Sequence, residues 1–200
     1  FDPDVLNGLR RRIDALSLFK SVIVDAPKHP DAAGRMPVEM IVTERDQRAV
    51  AVGVRGSSSD DFISGNASWK HRNFFGGGET VTAESTLSTL EQEASLQLRK
   101  PEFLIRGQTF VSSAAARHED SDAFEETSLN GFAGLERETL GVYTTSVGLA
   151  AELALIGDDD DESFFALLGL PVSLTRDTRD SPLDATSGTR VSAAEIGRAH

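Results

Sequence analysis

Residues 79–100 read ETVTAESTLSTLEQEASLQLRK, and in this stretch apolar side chains alternate with polar ones. The apolar positions of the alternation are Val81, Ala83, Leu87, Ala94, Leu96 and Leu98. Successive side chains of a β-strand point to opposite faces of the sheet, so a period of two predicts one apolar and one polar face. We therefore predict two half-apolar strands, over residues 79–90 and 93–100.

The same period of two continues on both sides of this stretch. Upstream, one face holds Val50, Val52 and Val54, and the next segment sets Ile63, Ala67 and Trp69 against Ser64, Asn66, Ser68 and Lys70. Downstream, we predict strands over residues 107–116, 127–136, 140–155 and 163–175. The segments recur at intervals of roughly 12 to 16 residues, which indicates an antiparallel meander.

Two of these predicted strands do not sort clearly by face. Residues 107–116 mix apolar and polar side chains on each side, and residues 164–170 are apolar on both. Such strands fit the core of a β-sandwich, and they fit equally well a barrel wall that packs on something inside. The alternative stays open at this point.

The first 45 residues follow another pattern. Apolar residues recur there at helical spacing, which predicts a helix over residues 4–18. Two apolar strands follow, over residues 20–24 and 37–43, separated by a turn-rich linker at residues 26–35. This order of helix, strand, loop and strand sets the segment apart from the meander.

Composition excludes several classes of function. The formal net charge of −12 would repel nucleic acid, so we expect no nucleic-acid partner. There is no cysteine, which removes disulfides and thiolate metal sites from consideration. The longest apolar run, residues 164–172, has about half the roughly 18 to 20 residues that a membrane-spanning helix needs. A membrane-spanning strand needs only about 9 to 11 residues, so a β-barrel stays open.

Alternate connections of the meander differ in charge. The acidic set contains Asp60, Asp61, Glu91, Glu93, Glu119, Asp120, Asp122, Glu125, Glu126, residues 158–161 and Glu162. The other set contains Lys70, Arg72, Lys100, Arg106, Arg137, Arg176 and Arg179, diluted by a few acids. Because an up-and-down meander places alternate connections at opposite ends, the two ends are predicted to carry different charge.

Motifs for catalysis or ligand binding are weak. Ser17 and Lys20 have the S-x-x-K spacing of acyl-transfer enzymes, but the companion motifs S-D-N and K-T-G are absent. The acidic run at residues 158–162 lacks the spaced ligands and the turn glycine of a calcium loop. The aspartates of residues 177–184 stand among arginine, proline and glycine, as in a charged turn. We expect no enzyme active site, no metal and no cofactor.

Several runs, taken in order, are similar to one known family. ALSLFKSVIVD at residues 15–25 and MPVEMIVTERDQRAVAVGVRGSS at residues 36–58 resemble the end of a periplasmic POTRA domain joined to the first barrel strand of Omp85 proteins. ASWKHRNFFGGGETV at residues 67–81 resembles their second strand, short periplasmic turn and third strand. LPVSLTRDTRDSPLDATSGTRVS at residues 170–192 resembles a turn near the middle of the barrel. Within the family, the TamA-like translocation and assembly branch is the most similar.

The resemblance implies a mainly β chain with two parts. Residues 1–45 would be the C-terminal part of the last POTRA domain, which is α/β. Residues 46–200 would be the N-terminal half of an antiparallel transmembrane β-barrel of about sixteen strands. About eight strands would fall in this half, or nine if another begins after Thr189. The barrel would lie in the bacterial outer membrane and the POTRA part in the periplasm.

The resemblance also implies a function and its residues. The protein would help to insert or translocate β-barrel or autotransporter client proteins. Its partners would be unfolded outer-membrane clients, a TamB-like inner-membrane protein that spans the periplasm, and outer-membrane lipid. The first barrel strand, one half of a lateral gate, would contain Arg48, Ala49, Val50, Ala51, Val52, Gly53, Val54 and Arg55. Periplasmic turns would contain Asn73, Gly76, Gly77, Gly78, Asp177, Asp180 and Gly188.

Two other functions compete with this interpretation. A related two-partner-secretion transporter would export a single partner through its lumen, and its POTRA number and a pore-plugging helix would distinguish it. A soluble β-sandwich binding module with cation-binding acidic loops belongs to a different class. Such a module would turn its polar faces toward water and fold without detergent.

Overall fold

The computed structural model describes residues 5–6, 8–10, 13, 16, 18–25, 34, 37–57, 62–121, 124–158, 161–181 and 184–199. Strands dominate this part of the chain. They are β1 (Phe19–Asp25), β2 (Glu39–Glu44), β3 (Arg48–Ser57), β4 (Phe62–Arg72), β5 (Thr80–Ser88), β6 (Glu91–Lys100), β7 (Gln108–Ser121), β8 (Phe124–Thr139), β9 (Tyr143–Asp158), β10 (Asp161–Asp177) and β11 (Arg190–Ala199).

The strands form two sheets. β1 and β2 pair with each other, whereas β3 to β11 form one nine-stranded antiparallel sheet in which every strand lies beside its sequence neighbours. The predicted meander is therefore confirmed, and the ninth strand expected after Thr189 is present as β11. The β-sandwich alternative is wrong for the described residues, because β3 to β11 form one sheet rather than two packed layers. β3 and β11 are the edges of this sheet.

The register of the strands collects the apolar side chains on one face. Directly paired residues of antiparallel strands project from the same side of a sheet. Val50 pairs with Trp69, Trp69 with Ala83, Ala83 with Leu96, and Leu96 with Ala114. This row crosses five strands without a charge. We call this side the outer face.

The outer face continues across the remaining strands and is open to its surroundings. Leu129 pairs with Leu153, and Leu153 with Ala166. The side chains are uncovered, with Leu149 67% exposed and Val54 85% exposed. A single-layer sheet with a wide apolar face needs an apolar environment on that face, since exposure of so much apolar surface to water costs free energy. A lipid-facing barrel wall meets this need.

The opposite side, which we call the inner face, is more crowded. Along β9, half-buried or buried residues alternate with exposed ones: Ser146, Gly148, Ala150, Glu152 and Ala154 are less accessible than the outer residues between them. Side chains crowd on the concave side of a curved sheet and spread apart on the convex side. The alternation therefore indicates that the inner face is concave.

The inner face of β7 to β10 explains the two strands that did not sort by face. Phe165 and Leu167 of β10 project inward, where a hollow of about 280 Å³ lies between Phe132, Leu167 and Glu152. Residues 164–170 are thus apolar on both sides because the even-numbered residues belong to the outer face and the inward Leu167 lines this hollow. The barrel-wall alternative for these strands is the one that the register supports.

An aromatic ring in this region lies flat over two glycines. A Cβ atom on Gly134 would stand 2.6 Å from Phe132 Cζ and 2.8 Å from the Val147 carbonyl oxygen. A Cβ atom on Gly148 would stand 2.5 Å from Phe132 Cε2 and 2.9 Å from the Ala133 carbonyl oxygen. Only residues without a side chain leave room for the ring, so Phe132 covers exposed backbone across the β8–β9 pair.

The strands are longer than predicted at the acidic end. β7 runs to Ser121 rather than residue 116, and β8 begins at Phe124 rather than residue 127. Glu91, Glu119 and Glu125 therefore lie inside strands rather than in connections. Apolar alternation reports only the part of a strand that faces an apolar medium, so it stops where the strand continues beyond the apolar band.

The N-terminal predictions are only partly covered by the structure. Val5, Leu6, residues 8–10 and Ile13 have helical backbone, and the rest of the predicted helix includes residues that lie outside the described part of the chain. β1 and β2 match the two predicted strands and pair antiparallel, with Val22 opposite Val42. Among the described residues, there is no helix with the length and apolar content to cross a membrane.

The glycine step under Phe132 gives a test of the sheet. Gly134→Val should lower the free energy of unfolding by about 1 to 3 kcal/mol, because the new side chain meets backbone atoms that cannot move aside. Gly131→Val on the same strand is the control, since a Cβ there has nothing within 4 Å. Urea unfolding of the intact protein in detergent measures both. Equal stability of the two variants would contradict the packing described here.

Candidate functional site

The predicted gate residues all lie in β3, at an open edge of the nine-stranded sheet. β4 pairs with one side of β3, and among the described residues nothing pairs with its other side. In an antiparallel strand, the N–H and C=O groups of every second residue point away from the partner. The free side of β3 therefore presents a row of unpaired backbone donors and acceptors.

The two faces of β3 differ in side-chain size. Val50, Val52 and Val54 project outward, as the pairing of Val50 with Trp69 shows. Ala49, Ala51 and Gly53 project inward, where the amide group of Asn66 covers Gly53: a Cβ atom there would stand 2.6 Å from Asn66 Oδ1. Stiff β-branched residues outside and small residues inside make a strand with high β propensity and little bulk on the inner face.

Connections β4–β5, β6–β7, β8–β9 and β10–β11 lie at one end of the meander, which we call the turn end. They comprise residues 73–79, 101–107, 140–142 and 178–189. All predicted periplasmic-turn residues lie at this end: Asn73, Gly76, Gly77 and Gly78 in the first connection, Asp177 at the end of β10, and Asp180 and Gly188 in the last. Their periplasmic location stays a prediction.

The β4–β5 turn is held by its own side chains. Asn73 has a left-handed backbone, with φ of 60°, and its Oδ1 accepts a hydrogen bond of 2.8 Å from the Gly78 amide. Gly76 and Gly78 also have positive φ, of 91° and 83°, which glycine adopts without strain. Gly76 and Gly78 therefore serve the turn geometry.

Glu79 holds the end of this turn through its side chain, a role that was not predicted from the sequence. Its side chain is nearly inaccessible, with the residue 2% exposed, and its Oε1 accepts a 2.8 Å bond from Lys100 Nζ. Its Oε2 accepts a 2.9 Å bond from the Gly77 amide. The hydrogen bond from Lys100 is the main cause that lowers the pKa of Glu79, against the opposing effect of burial. A charged pair thus links the turn to β6.

An aromatic cluster on the outer face was also missed from sequence. The Trp69 and Phe74 rings lie edge to face with centroids 6.1 Å apart, and Phe74 contacts both His71 at 5.3 Å and Phe75 at 4.8 Å. Aromatic rings at the ends of the apolar band are typical of barrel strands at the membrane interface. The sequence pattern that could have predicted this cluster is the spacing of Trp69, His71 and Phe74 at a strand end, which puts three rings on one side of the sheet.

The β10–β11 turn is organised by two aspartates. Asp180 Oδ1 accepts backbone hydrogen bonds from Ser181, Thr186 and Ser187, and Asp180 Oδ2 accepts one from the Thr186 hydroxyl. The Thr186 hydroxyl, followed by the Ser187 amide, lowers the pKa of Asp180 to about 2. Asp177 instead receives Arg179, with a 2.7 Å bond from Nη2. These carboxylates act in turn structure, as expected.

Gly188 in the same turn has no room for a side chain. Its φ is +96°, and a Cβ atom would lie 2.2 Å from the Thr178 carbonyl oxygen. The Thr178 amide also bonds to the Thr189 carbonyl at 2.9 Å, which draws the two ends of the turn together. Glycine is therefore required by both conformation and contact.

Other candidate residues do not assemble into a site. His118 Nδ1 hydrogen-bonds Thr127 across the β7–β8 pair at 2.9 Å. Ser17 and His29 lie outside the described residues, as do the side chains of residues 158–161. Within the described part of the chain, no group of three histidine, aspartate or glutamate side chains is placed to hold a metal ion.

Known proteins share this arrangement. A family model described as the Omp85 superfamily domain matches residues 73–195, which extend from the β4–β5 turn into β11. The chain belongs to the Omp85 superfamily. The expected family and fold are therefore confirmed, and the Omp85 sheet is assigned to the bacterial outer membrane. β3 precedes the matched range, so its role as a gate stays a prediction.

Two solved structures have the fold of this Omp85 chain. BamA from Haemophilus ducreyi lacking POTRA domains 1-3, a crystal structure, matches 94% of the chain with a TM-score of 0.69 and 15% identity. CdiB from Acinetobacter baumannii matches 94% with a TM-score of 0.65 and 12% identity. The chain spans 41% and 39% of the lengths of those proteins. No curated protein matches it.

The ion pair between Glu79, which is buried, and Lys100 of β6, whose side chain is 41% exposed, predicts a pH-dependent stability of the Omp85 sheet. Glu79→Gln should lower the free energy of unfolding by about 1 to 2 kcal/mol at neutral pH, because Lys100 loses its charged partner. A depressed pKa stabilises the fold above the ordinary value of 4.5 and ceases to do so as pH falls through the folded-state pKa. Urea unfolding at several pH values should therefore show the difference shrinking in acid. Glu138→Gln, an exposed residue near the same end, is the control.

The Asp180 network predicts a local transition at lower pH. Because the folded pKa of about 2 lies below the ordinary 3.8, protonation across this interval should release the Thr186 and Ser187 amides. Hydrogen exchange at these amides should therefore speed up, relative to the unstructured rate, between these pH values. Asp180→Asn should show the faster exchange already at neutral pH, whereas Asp184→Asn should not. Unchanged protection in Asp180→Asn would refute the network.

Proposed function

We propose that the intact protein is a TamA-like outer-membrane factor that helps to insert or translocate β-barrel or autotransporter clients, and that it is not an enzyme. Membership of the Omp85 superfamily supports a role in outer-membrane assembly or transport. The feature that supports the more specific proposal is the place of β3 as the first strand of the sheet: it faces an apolar medium, and within the described residues no strand pairs with its second side, where a later barrel strand or a client strand can bind.

An open edge in a membrane is a physical means of templating a strand. Each backbone N–H or C=O left unpaired in hydrocarbon costs several kcal/mol, so a client strand gains free energy by pairing with β3. Backbone pairing takes little account of the client's sequence, because the hydrogen-bonding groups are common to all residues. A single edge can therefore serve many clients.

The apolar band is also shorter on β3 than on β10. On β3 its outer residues run from Val50 to Val54, which corresponds to about 13 Å along the strand. On β10 the outer residues run from Phe164 to Leu174, or about 33 Å along the strand. A short apolar band favours local thinning of the bilayer. A thinner bilayer beside β3 lowers the cost of moving a polar strand end across it.

The partners follow from this role. Unfolded clients arrive from the periplasm, where residues 1–45 form the end of a POTRA domain and the turn end of the sheet faces the same compartment. A TamB-like protein of the inner membrane spans the periplasm, and outer-membrane lipid surrounds the outer face. The chemistry that supports the lipid contact is the aromatic cluster beside Trp69.

Closing the edge tests the proposed function. A disulfide engineered between β3, for example at Val52→Cys, and a cysteine in the last barrel strand of the intact protein should block client assembly, because β3 can then no longer separate from that strand and pair with a client. The chain has no native cysteine, so the engineered pair is unambiguous. The measurement is the fraction of client protein that becomes folded in proteoliposomes, before and after reduction.

A second cysteine pair provides the control for this lock. Ala67→Cys with Ser85→Cys joins β4 to β5, which are already neighbours, and should leave client assembly unchanged. Assembly that persists with β3 locked would overturn the gate. Loss of assembly with both disulfides would indicate damage to the barrel. Support for the gate therefore requires that the β3 disulfide blocks assembly, that reductant restores it, and that the β4–β5 disulfide has no effect.

A further inference from the structure

A hollow of about 300 Å³ on the inner face at the turn end is lined by positive charge. It lies beside β3 and β4, close to the open edge. We call its four basic residues the cationic mouth: Arg45, Lys70, Arg72 and Arg99. Thr80, Thr109 and Gly78 complete much of the wall. No carboxylate is among the residues that line it.

The strand register forces these charges together. Arg72 pairs with Thr80, and Thr80 pairs with Arg99, so two arginines stand two strands apart in one row of the inner face. Neighbouring strands are about 4.8 Å apart, which puts the two backbones about 10 Å from each other. Lys70 precedes Arg72 by two residues on β4, so it lies on the same inner face, one row farther from the turn end and opposite Ala49 of β3. Like charges this close repel each other unless an anion joins them.

Neutralisation within the described residues is incomplete. Arg99 forms a 2.5 Å ion pair with Glu136. Arg45 and Arg72 donate to backbone carbonyls, of Phe19 at 3.3 Å and of Asp46 at 3.0 Å, and neither forms an ion pair in the described part of the chain. Lys70 has neither an ion pair nor a side-chain hydrogen bond there. Three of the four positive charges are thus without a carboxylate.

The contrast with adjacent surfaces is sharp. The next hollow along the turn end mixes Arg99 and Arg137 with Glu102, Glu136 and Glu138, so negative charge exceeds positive charge there by one. The chain as a whole carries a net charge of −12. A local excess of positive charge in an acidic protein, confined to the inner side of β4 to β6, focuses the electrostatic field on that spot.

We propose that the cationic mouth binds carboxylate side chains of an unfolded polypeptide as it approaches the free edge of β3. This inference rests on the proposed function and adds a binding site to it. The position favours a polypeptide over a lipid headgroup, because the mouth opens on the inner face whereas the apolar and aromatic residues lie on the outer face. Arg72 offers a planar fork for a carboxylate, and Lys70 a mobile ammonium.

Partial exposure makes such contacts weak and quickly reversible. Lys70, Arg72 and Arg99 are half-buried and Arg45 is exposed, so water and salt screen their charges. A polypeptide in transit requires this behaviour, since a tightly held segment would not move on to the edge. Acidic segments would be retained near β3 long enough for their backbone to pair.

Peptide binding to the intact protein in detergent tests the cationic mouth. The probe is a fluorescent, unstructured 15-residue peptide in which aspartate and glutamate alternate with serine and glycine, and anisotropy gives its dissociation constant. Lys70→Gln with Arg72→Gln should weaken binding about tenfold at low salt, and added salt should weaken wild-type binding to a similar degree. Arg137→Gln with Arg176→Gln is the matched control, because it removes two charges from the same end and neither arginine lines the cationic mouth.

Each result separates the alternatives. A peptide with asparagine and glutamine in place of the acids should bind weakly to all variants. An equal loss of peptide binding in both double variants would overturn the proposal, because general electrostatic attraction would then explain the binding. Displacement of the labelled peptide by anionic lipid micelles, but not by unlabelled acidic peptide, would also overturn it. If the β3 lock blocks client assembly while Lys70→Gln with Arg72→Gln binds peptide normally, the cationic mouth fails and the gate stands.

Discussion

Backbone hydrogen bonding is the constraint on which this structure depends. In hydrocarbon, no water is present to satisfy an N–H or C=O group, so every strand of the sheet must pair on both sides or pay for the exposed edge. β4 to β10 meet this requirement through unbroken antiparallel neighbours. β3 and β11 each have a free side among the described residues. The proposed function depends on the β3 side, where the backbone N–H and C=O groups can form hydrogen bonds with a client strand.

Register follows from the same constraint. A shift of one residue would turn every side chain of a strand to the opposite face, so the pairing of Val50 with Trp69 and of Leu129 with Leu153 carries the whole apolar face. This part was predictable from sequence, since a period of two is local and visible wherever one side meets lipid. It failed where both sides are apolar, as around Phe165, and where strands leave the apolar band, as at Glu119.

Contacts between distant residues were not predictable in the same way. Arg99 and Glu136 are 37 residues apart and meet only because β6, β7 and β8 stand in register. Lys100 reaches Glu79, 21 residues away, and Phe132 covers Gly148 on the next strand. The residues predicted for periplasmic turns lie in or beside connections at one end of the sheet, because glycine and aspartate report on local backbone. The cationic mouth could be recognised only once the strand register was known, since its lysine and arginines come from separate segments of the chain.

The edge and the cationic mouth are complementary in what they select. Backbone pairing at β3 holds any extended segment and discriminates poorly among sequences, whereas charge at Lys70 and Arg72 discriminates by side chain and acts over a longer range. Ala49 and Ala51 put little bulk on the inner side of β3 at the end nearest the cationic mouth. The ionic attraction at the cationic mouth is weak, because salt and water screen it. Backbone pairing at β3 is stronger, because no water in the membrane can replace it, and this difference favours movement of the segment from the mouth to the edge.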